Sequence, residues 1–193
     1  MMKLELPSRD GRVLLHSCCA PCSGAILECM VENGLKPAVY FSNSNIDTEE
    51  EFLKRLAEVK RYCDILGLDV IADEYDHDGW LAAVKGLEDE PERGKRCLKC
   101  FKYRLTRAAR YACENGFDIL TTSLASSRWK SLEQVDEAGR SAVGQTVGTG
   151  GTDLQWWPQN WRKGGLQPRR DEIIREQRFY NQNWCGCEFS HRD

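Results

Sequence analysis

The sequence predicts an α/β fold in which helices flank a mainly parallel sheet. Short apolar runs alternate along the chain with longer segments whose apolar residues recur every three or four positions, as in strands and amphipathic helices. Glycines and two capping boxes mark where helices end and begin. Regular alternation of this kind is typical of parallel sheets covered by helices.

The first half of the chain contains three predicted strands, at residues 12–16, 38–41 and 69–72. A turn with Pro21 and Gly24 leads from the first strand into a helix. Thr48 and Glu51 form a capping box that begins the next helix, whose apolar stripe ends at Gly67.

The second half predicts four helices, a fourth strand and a loop. In chain order these are a helix through Val84, a helix from about Cys97 to Gly116, a strand at 117–123, a helix from the Ser131–Gln134 capping box to about Val143, a loop at 144–153 and a helix at 171–179. Polar loops follow the first three strands, and ligands of such sheets bind beyond the strands' carboxyl ends.

The length of 193 residues suits a single domain, with a core at 12–143 and an irregular C-terminal extension at 144–193. A hydrophobic content of 41% excludes an intrinsically disordered chain. The sequence has no apolar run long enough to span a bilayer, and its N-terminus lacks the features of a secretory signal. We therefore expect a cytoplasmic protein with no membrane partner.

The net charge of −3 conceals two basic clusters. No acidic residue lies between Arg93 and Arg110, a stretch that contains eight basic residues, and a second cluster lies between Arg162 and Arg178. Local charge of this kind permits nucleic-acid binding, although a solvated helix face would look the same.

The ten cysteines fall into two groups. Cys29, Cys63 and Cys113 lie within predicted helices beside apolar neighbours, and we expect them to pack as small hydrophobic residues. The other seven occur in three motifs, CCAPC, CLKC and CGC: Cys18, Cys19, Cys22, Cys97, Cys100, Cys185 and Cys187. In a reducing compartment, clustered cysteines bind metal or carry out redox chemistry.

Three interpretations of the motifs stay open on the residues alone. Structural zinc would use the two CxxC pairs, but they lie far apart in the chain and the other thiols would be unused. A dithiol oxidoreductase would use CAPC, but a thioredoxin-like fold has a strand and a helix before that motif. An iron–sulfur cluster with an additional redox pair uses more of the cysteines than either, because a cluster accepts thiolates from several directions.

Seven segments, taken together and in order, resemble the QueH-type epoxyqueuosine reductases: LLHSCCAPCS, VYFSNSNI, EYDHDGW, KGLEDEPERGKRCLKCF, FDILTTSL and FYNQNWCGC, with EEEF after the second. The resemblance implies a Rossmann-like (HUP-like) core. It also implies reduction of epoxyqueuosine to queuosine at the tRNA wobble position, with two electrons and two protons consumed and water released. The chain departs from the family in reading SNSNI for YNPNI and SSRWK for SPHK, where Lys130 persists without the histidine.

The resemblance also implies a set of site residues. Cys18, Cys19, Cys97 and Cys100 are expected to bind a 4Fe-4S cluster, and Cys185 with Cys187 to form a redox-active disulfide. No cobalamin is expected.

Two further assignments are hypotheses about the chemistry. The cluster, with an accessory iron, would polarise the epoxide oxygen and supply electrons. Cys22 has two open roles, as a ligand of that accessory iron or as packing behind the cluster. Asp76 is the first candidate for proton donor or metal ligand, ahead of His77 and Asp78.

The expected partners are tRNA and an electron donor that the sequence does not identify. The tRNA would lie over the basic helix after Cys97 and over the basic C-terminal segment. One or two of four tryptophans would stack on bases: Trp129, Trp156, Trp157 and Trp161. The alternative function is a zinc-stabilised tRNA-binding module without redox activity.

Overall fold

Five parallel strands form one sheet in a computed structural model that describes residues 2–8, 11–147 and 153–190. The strand order is β3-β2-β1-β4-β5, and every strand pair is parallel. The strands are β1 (Val13–Ser17), β2 (Ala38–Phe41), β3 (Val70–Ala72), β4 (Ile119–Thr122) and β5 (Gln155–Trp156). The predicted α/β class is confirmed.

Within the described residues, six α-helices flank the sheet in two packing groups. Helices α2 and α6 pack on α1, whereas α3 and α5 pack on α4. Their bounds are α1 (Ala20–Glu32), α2 (Glu49–Leu66), α3 (His77–Val84), α4 (Lys95–Glu114), α5 (Leu132–Val147) and α6 (Leu166–Gln177). No helix in the described ranges is long and apolar enough to cross a bilayer.

The two predicted capping boxes each form only half of their hydrogen bonds. The hydroxyl of Thr48 accepts from the backbone N–H of Glu51 at 3.2 Å, and that of Ser131 accepts from Gln134 at 3.3 Å. The carboxylate of Glu51 instead binds Arg55, and the amide of Gln134 donates to the carbonyl of Arg93. The side chains of Glu51 and Gln134, which would complete the two capping boxes, therefore bind other residues instead.

The predicted turn at Pro21 and Gly24 is wrong, because both residues lie inside α1. Proline is compatible with the first helical turn, where its missing N–H costs nothing. At Gly24 an added Cβ would lie 3.4 Å from Ile173 of α6 and 3.5 Å from Phe179. This glycine therefore serves close helix packing rather than a turn.

Three other boundaries near the C-terminus differ from the prediction. Helix α5 continues to Val147 through part of the predicted loop, of which 148–152 lie outside the described residues. Helix α6 begins at Leu166 rather than at residue 171. Strand β5 was missed because it has only two residues, and its Trp156 is fixed by tertiary contact with Asp136, whose carboxylate accepts from the indole N–H at 2.6 Å.

The strand order changes direction between β1 and β4, which places a crevice at their carboxyl ends. Strand β1 ends at Ser17, directly before Cys18, and β4 ends at Thr122, directly before Ser123. The backbone N–H of Cys18 donates to the hydroxyl of Ser123 at 3.0 Å. The first cysteine motif therefore lies at the topological switch point of the sheet.

A bidentate ion pair ties the C-terminal extension to the core. Arg169 of α6 donates to both carboxylate oxygens of Glu28 on α1, at 2.7 and 2.9 Å, and Tyr62 donates to the same carboxylate at 2.6 Å. Burial alone would raise the pKa of Glu28, but the hydrogen bonds from Arg169 and Tyr62 outweigh it and hold the pKa below its usual value.

We expect Glu28→Gln to reduce the free energy of unfolding at pH 7 by about 1–2 kcal/mol, because it replaces the bidentate ionic hydrogen bonds from Arg169 by weaker bonds to a neutral amide. Arg169 keeps its more exposed partners Glu172 and Glu176, which limits the loss. The pKa of Glu28 is lower in the folded state, so the contribution is complete above the unfolded pKa of about 4.3 and disappears as the pH falls through the folded value. Urea unfolding at pH 7 and pH 3 measures both effects. The control is Glu32→Gln, on the same helix but exposed; equal stability of the two variants at pH 7 would contradict the prediction.

Candidate active site

The N-terminus of α1 brings three thiols together. Cys19 is the N-cap of the helix, and the sulfur atoms of Cys18, Cys19 and Cys22 all lie within 4.8 Å of one another. The sulfur atoms of Cys18 and Cys19 are 4.0 Å apart, and the hydroxyl of Ser123 donates to the Cys18 sulfur at 3.3 Å. Adjacent cysteines therefore reach one point in space, with Cys22 beside them.

All seven clustered cysteines line one cavity of about 150 Å³. Cys97 and Cys100 reach it from the first turns of α4, and Cys185 and Cys187 from the C-terminal segment. Cys29, Cys63 and Cys113 do not line this cavity, as their predicted packing role requires. All ten cysteines are free thiols, so the pairing of Cys185 with Cys187 stays a prediction.

The thiols of the first motif differ in their readiness to ionise. Hydrogen bonds from Cys19 and Cys22 hold the pKa of Cys18 well below its usual value, against the effect of burial. The same interactions, with burial, raise the pKa of Cys19 well above its usual value and that of Cys22 to about 11. Of the three thiols, Cys18 is therefore the one whose pKa its neighbours lower.

Burial is the main influence on three thiols of the second and third motifs. Burial raises the pKa of Cys100 to about 11 and that of Cys187 to about 12, and it raises the pKa of Cys97 as well. The backbone N–H of Arg93 donates to the Cys97 sulfur at 3.3 Å. These thiols would lose their protons to a bound metal rather than to water.

A buried polar network supports the first motif from behind. The Nε2–H of His16 donates to the carbonyl of Ser42 at 3.0 Å, and its Nδ1 accepts from the hydroxyl of Thr122 at 2.7 Å. Arg104 donates to the same carbonyl at 3.2 Å and to the side-chain oxygen of Asn43. Burial, with the nearby charge of Arg104, lowers the pKa of His16 to about 3, so its imidazole is neutral.

The CGC segment is held by Arg55, which is 2% exposed. Its guanidinium binds Glu51 at 2.7 Å and donates to the carbonyl of Cys185 at 3.1 Å. Gly186 has φ +107, and a Cβ there would lie 2.9 Å from the guanidinium. The backbone N–H of Asp47 donates to the carbonyl of Gly186 at 2.9 Å, so the glycine is packed on both sides.

Positive charge dominates the lining of the cavity. Within the described part of the chain, one lining residue carries a carboxylate, Glu92, against six that are basic: Arg55, Arg93, Arg96, Arg104, Lys130 and Arg170. Burial lowers the pKa of Lys130, but the charges of Cys185, Cys18 and Cys22 outweigh it and raise that pKa above its usual value. The cavity is thus suited to accumulate negative charge, as a set of thiolates would.

Comparison with known proteins agrees with this arrangement. A family model described as "Epoxyqueuosine reductase QueH" matches residues 13–193. A curated relative named "Epoxyqueuosine reductase QueH" from Histophilus somni is 44% identical over 99% of this chain and 76% of its own length. Relatives with that name from Acinetobacter baylyi and Thermotoga maritima are 42% and 31% identical over 100% and 93% of this chain, and over 86% and 90% of their own lengths.

The chain belongs to the epoxyqueuosine reductase QueH family.

The family membership confirms the resemblance drawn from the sequence motifs. Several of those motifs line the cavity: CCAPC, the loop at 42–46, CLKC and CGC all contribute to it. Lys130, in a segment where the chain departs from the family, lines it as well. Family-wide motifs and the shape of the site therefore point to one centre.

Asp76 lies outside this centre. It is the N-cap of α3, where its carboxylate accepts from the N–H of Gly79 at 3.0 Å and from the hydroxyl of Tyr103 at 2.6 Å. The hydrogen bond from Tyr103, with that from Gly79, lowers the pKa of Asp76. Asp76, His77 and Asp78 are not among the residues that line the cavity.

His77 instead helps to hold the CGC segment. Its Nδ1–H donates to the carbonyl of Ser44 at 2.9 Å, and its Nε2 lies 3.3 Å from a carboxylate oxygen of Glu188. Asp47 completes a group whose ligand-type atoms all lie within 4.8 Å of one another. The group connects the loop after β2 to the residue that follows Cys187.

Only part of the basic run on α4 forms an exposed surface, so the predicted tRNA surface on this helix stays a prediction for fewer residues. Arg96 and Arg104 are buried, Arg107 is paired with Asp73 at 2.6 Å, and Lys102 with Glu137 at 2.6 Å. Basic side chains on one helix can be buried, paired with carboxylates or exposed, and the sequence alone does not distinguish these cases. Lys95, Lys99 and Arg110 are exposed.

Two of the four predicted stacking tryptophans are buried. Trp157 is 3% exposed and Trp161 is fully buried, with its indole N–H donating to the carbonyl of Thr122 at 3.1 Å. Trp156 is partly buried against Asp136. Trp129 is 68% exposed and lines the cavity.

Sequence reasoning missed Arg55 and Trp80, both of which line the cavity. A signal existed for Arg55, because a charged residue stands between Phe52 and Val59 on the apolar stripe of α2. A side chain at that position must either be buried with partners or disrupt the stripe. Trp80 gave no such signal.

We expect Gly186→Ala to displace the CGC segment, because the alanine methyl group has no room beside Arg55 and the φ of +107 disfavours a side chain. Alkylation of Cys185 by iodoacetamide, followed by mass spectrometry, should accelerate about tenfold, corresponding to about 1.4 kcal/mol of lost docking. Gly144→Ala, where a Cβ meets nothing within 4 Å, is the matched control. An unchanged alkylation rate in Gly186→Ala would show that the segment is not held in this way.

Proposed function

We propose that this chain is an epoxyqueuosine reductase that acts on the modified wobble base of tRNA, the last step of queuosine formation. The observation that carries the proposal is the convergence of seven cysteines from three separate motifs on one cavity at the sheet's switch point. A zinc site uses four ligands at most. The convergence of three further thiols fits a cluster with an adjacent dithiol better.

The residues present fit an iron–sulfur cluster. Cys18, Cys19, Cys97 and Cys100 would hold it, each close to a helix N-terminus whose partial positive charge favours thiolates. The indole N–H of Trp80 is buried and has no hydrogen-bond partner within normal distance. It lies near Cys100, where it lowers the pKa of the thiol, although the larger effect of burial raises that pKa. Such an orphaned N–H beside a cysteine is suited to a sulfur acceptor. The cluster would supply electron transfer and Lewis acidity.

Cys22 is suited to an additional metal ion. Its sulfur lies with those of Cys18 and Cys19, and the residue lines the cavity. We propose Cys22 as a ligand of an accessory iron, rather than as packing behind the cluster.

Cys185 and Cys187 would supply the reducing equivalents. Oxidation of the two thiols to a disulfide releases two electrons and two protons. Removal of the epoxide oxygen consumes two electrons and two protons and yields one carbon–carbon double bond and one water, so one dithiol balances one substrate. An external donor must then reduce the disulfide, and the small ring of a CxC pair favours that reduction.

The basic residues that line the cavity would bind the phosphates of the RNA substrate. Six cations against one carboxylate attract an RNA phosphate backbone toward the cavity. The wobble base would have to leave its stack to enter. The buried guanidinium of Arg55, a residue that lines this cavity, has one nitrogen, Nη2, without a hydrogen-bond partner.

We expect about four sulfide and about four to five iron per chain in protein purified without oxygen, the fifth iron belonging to the accessory site at Cys22. Cys97→Ser should lose most of that iron, whereas Cys185→Ser should keep it and lose all turnover on tRNA that carries epoxyqueuosine. Cys113→Ala, outside the cavity, is the control and should keep both. One zinc and no sulfide in wild-type protein, even after cluster reconstitution, would replace this function with the zinc-stabilised tRNA-binding module.

The role of Asp76 as proton donor is tested with Asp76→Asn. Asparagine is as good an N-cap as aspartate, and the carboxylate lies outside the cavity, so we expect turnover within about threefold of wild type. A loss of 100-fold or more with iron unchanged would restore Asp76 as the proton donor.

A further inference from the structure

The mouth of the cavity carries an exposed tryptophan. Trp129 is 68% exposed, the highest value among the large hydrophobic side chains in the described ranges, and it alone of the exposed ones lines the cavity. An indole with this much exposed apolar surface offers a face on which a further aromatic ring can stack. We propose that Trp129 is a stacking platform for one nucleobase that flanks the modified base of the RNA substrate, an inference that rests on the proposed function.

Two arginine side chains hold the backbone of the segment that carries Trp129. Arg93 donates to the carbonyl of Arg128 at 2.6 Å and to that of Trp129 at 3.1 Å. Arg162 donates to the carbonyl of Lys130 at 2.6 Å and to that of Ser127. Four successive carbonyls are therefore fixed by two guanidiniums, and the exposed indole stands on an ordered backbone.

The brace also connects the platform to the cysteines. The backbone N–H of Arg93 donates to the sulfur of Cys97 at 3.3 Å, while its side chain holds the Trp129 segment. Arg93 adopts φ +67, a strained value for a residue with a side chain, and its carbonyl accepts from Gln134 at 2.8 Å. One residue thus fixes the distance between the exposed ring and a cysteine of the site.

Single-stranded RNA is the occupant that fits this surface. The adjoining cavity has six basic residues and one acidic residue, which suits phosphates better than an apolar peptide. Anticodon-loop bases can unstack and lie on aromatic rings, and such stacking needs no specific sequence. If one RNA base stacked on Trp129, the adjacent nucleotide would lie over the cavity, which Lys130 also lines.

The test is binding of a chemically synthesised anticodon stem–loop to the cluster-loaded protein at fixed salt. We expect Trp129→Ala to weaken binding about tenfold and Trp129→Phe to weaken it less than threefold, because phenylalanine keeps a stacking face. Ile65→Ala is the matched control, since Ile65 is 59% exposed but does not line the cavity. Equal iron content in all four proteins shows that the site is intact.

Abasic substitution identifies the base involved. Removal of the base that stacks on Trp129, on one side of the wobble nucleotide, should weaken wild-type binding about tenfold and should leave binding by Trp129→Ala unchanged. Removal of the base on the other side should weaken binding by both proteins equally. Additive losses at both positions, or wild-type affinity in Trp129→Ala, would overturn the platform while leaving the reductase function intact. Failure of the wild-type protein to bind the stem–loop would overturn both.

Discussion

The parallel pairing of β1 with β4 is the constraint on which the rest of the site depends. The register sets His16 opposite Thr122, so the chain leaves both strands at the same level of the sheet. Cys18 and Ser123 then meet directly, through a backbone N–H and a thiol. Because the strand order reverses here, a crevice opens at the strand ends, and the first turns of α1 and α4 both contribute cysteines to it.

Charge balance explains why the cavity is built from arginines as well as cysteines. Several thiolates in one buried space repel each other, and the free energy of gathering them falls when cations are fixed nearby. Arg104, Arg55 and Arg96 are buried and held by backbone carbonyls, so they cannot move away when the site is empty of negative charge. The same cations would extend attraction to RNA phosphates at the mouth.

The C-terminal segment completes the site from far along the chain. Ion pairing of Arg169 with Glu28 docks α6 on α1, and Arg55 then holds the carbonyl of Cys185. Neither contact involves neighbouring residues, so the position of the dithiol depends on the fold as a whole. A substitution that breaks either contact would displace Cys185 and Cys187 from the other five clustered cysteines while leaving the CCAPC and CLKC motifs in place.

The sequence by itself determined the fold class, four strands and the seven clustered cysteines, because alternation, glycine stops and motif spacing are local properties that the printed letters carry. It did not determine β5 or the start of α6, since tertiary contacts at Trp156 and Gly24 override weak local preferences. Only the tertiary structure decided that Asp76 caps a helix, that Arg96 and Arg104 of α4 are buried and that Trp129 alone of its group is exposed at the cavity. The physical reason is that burial and partner choice depend on residues distant in the chain, which no local pattern records.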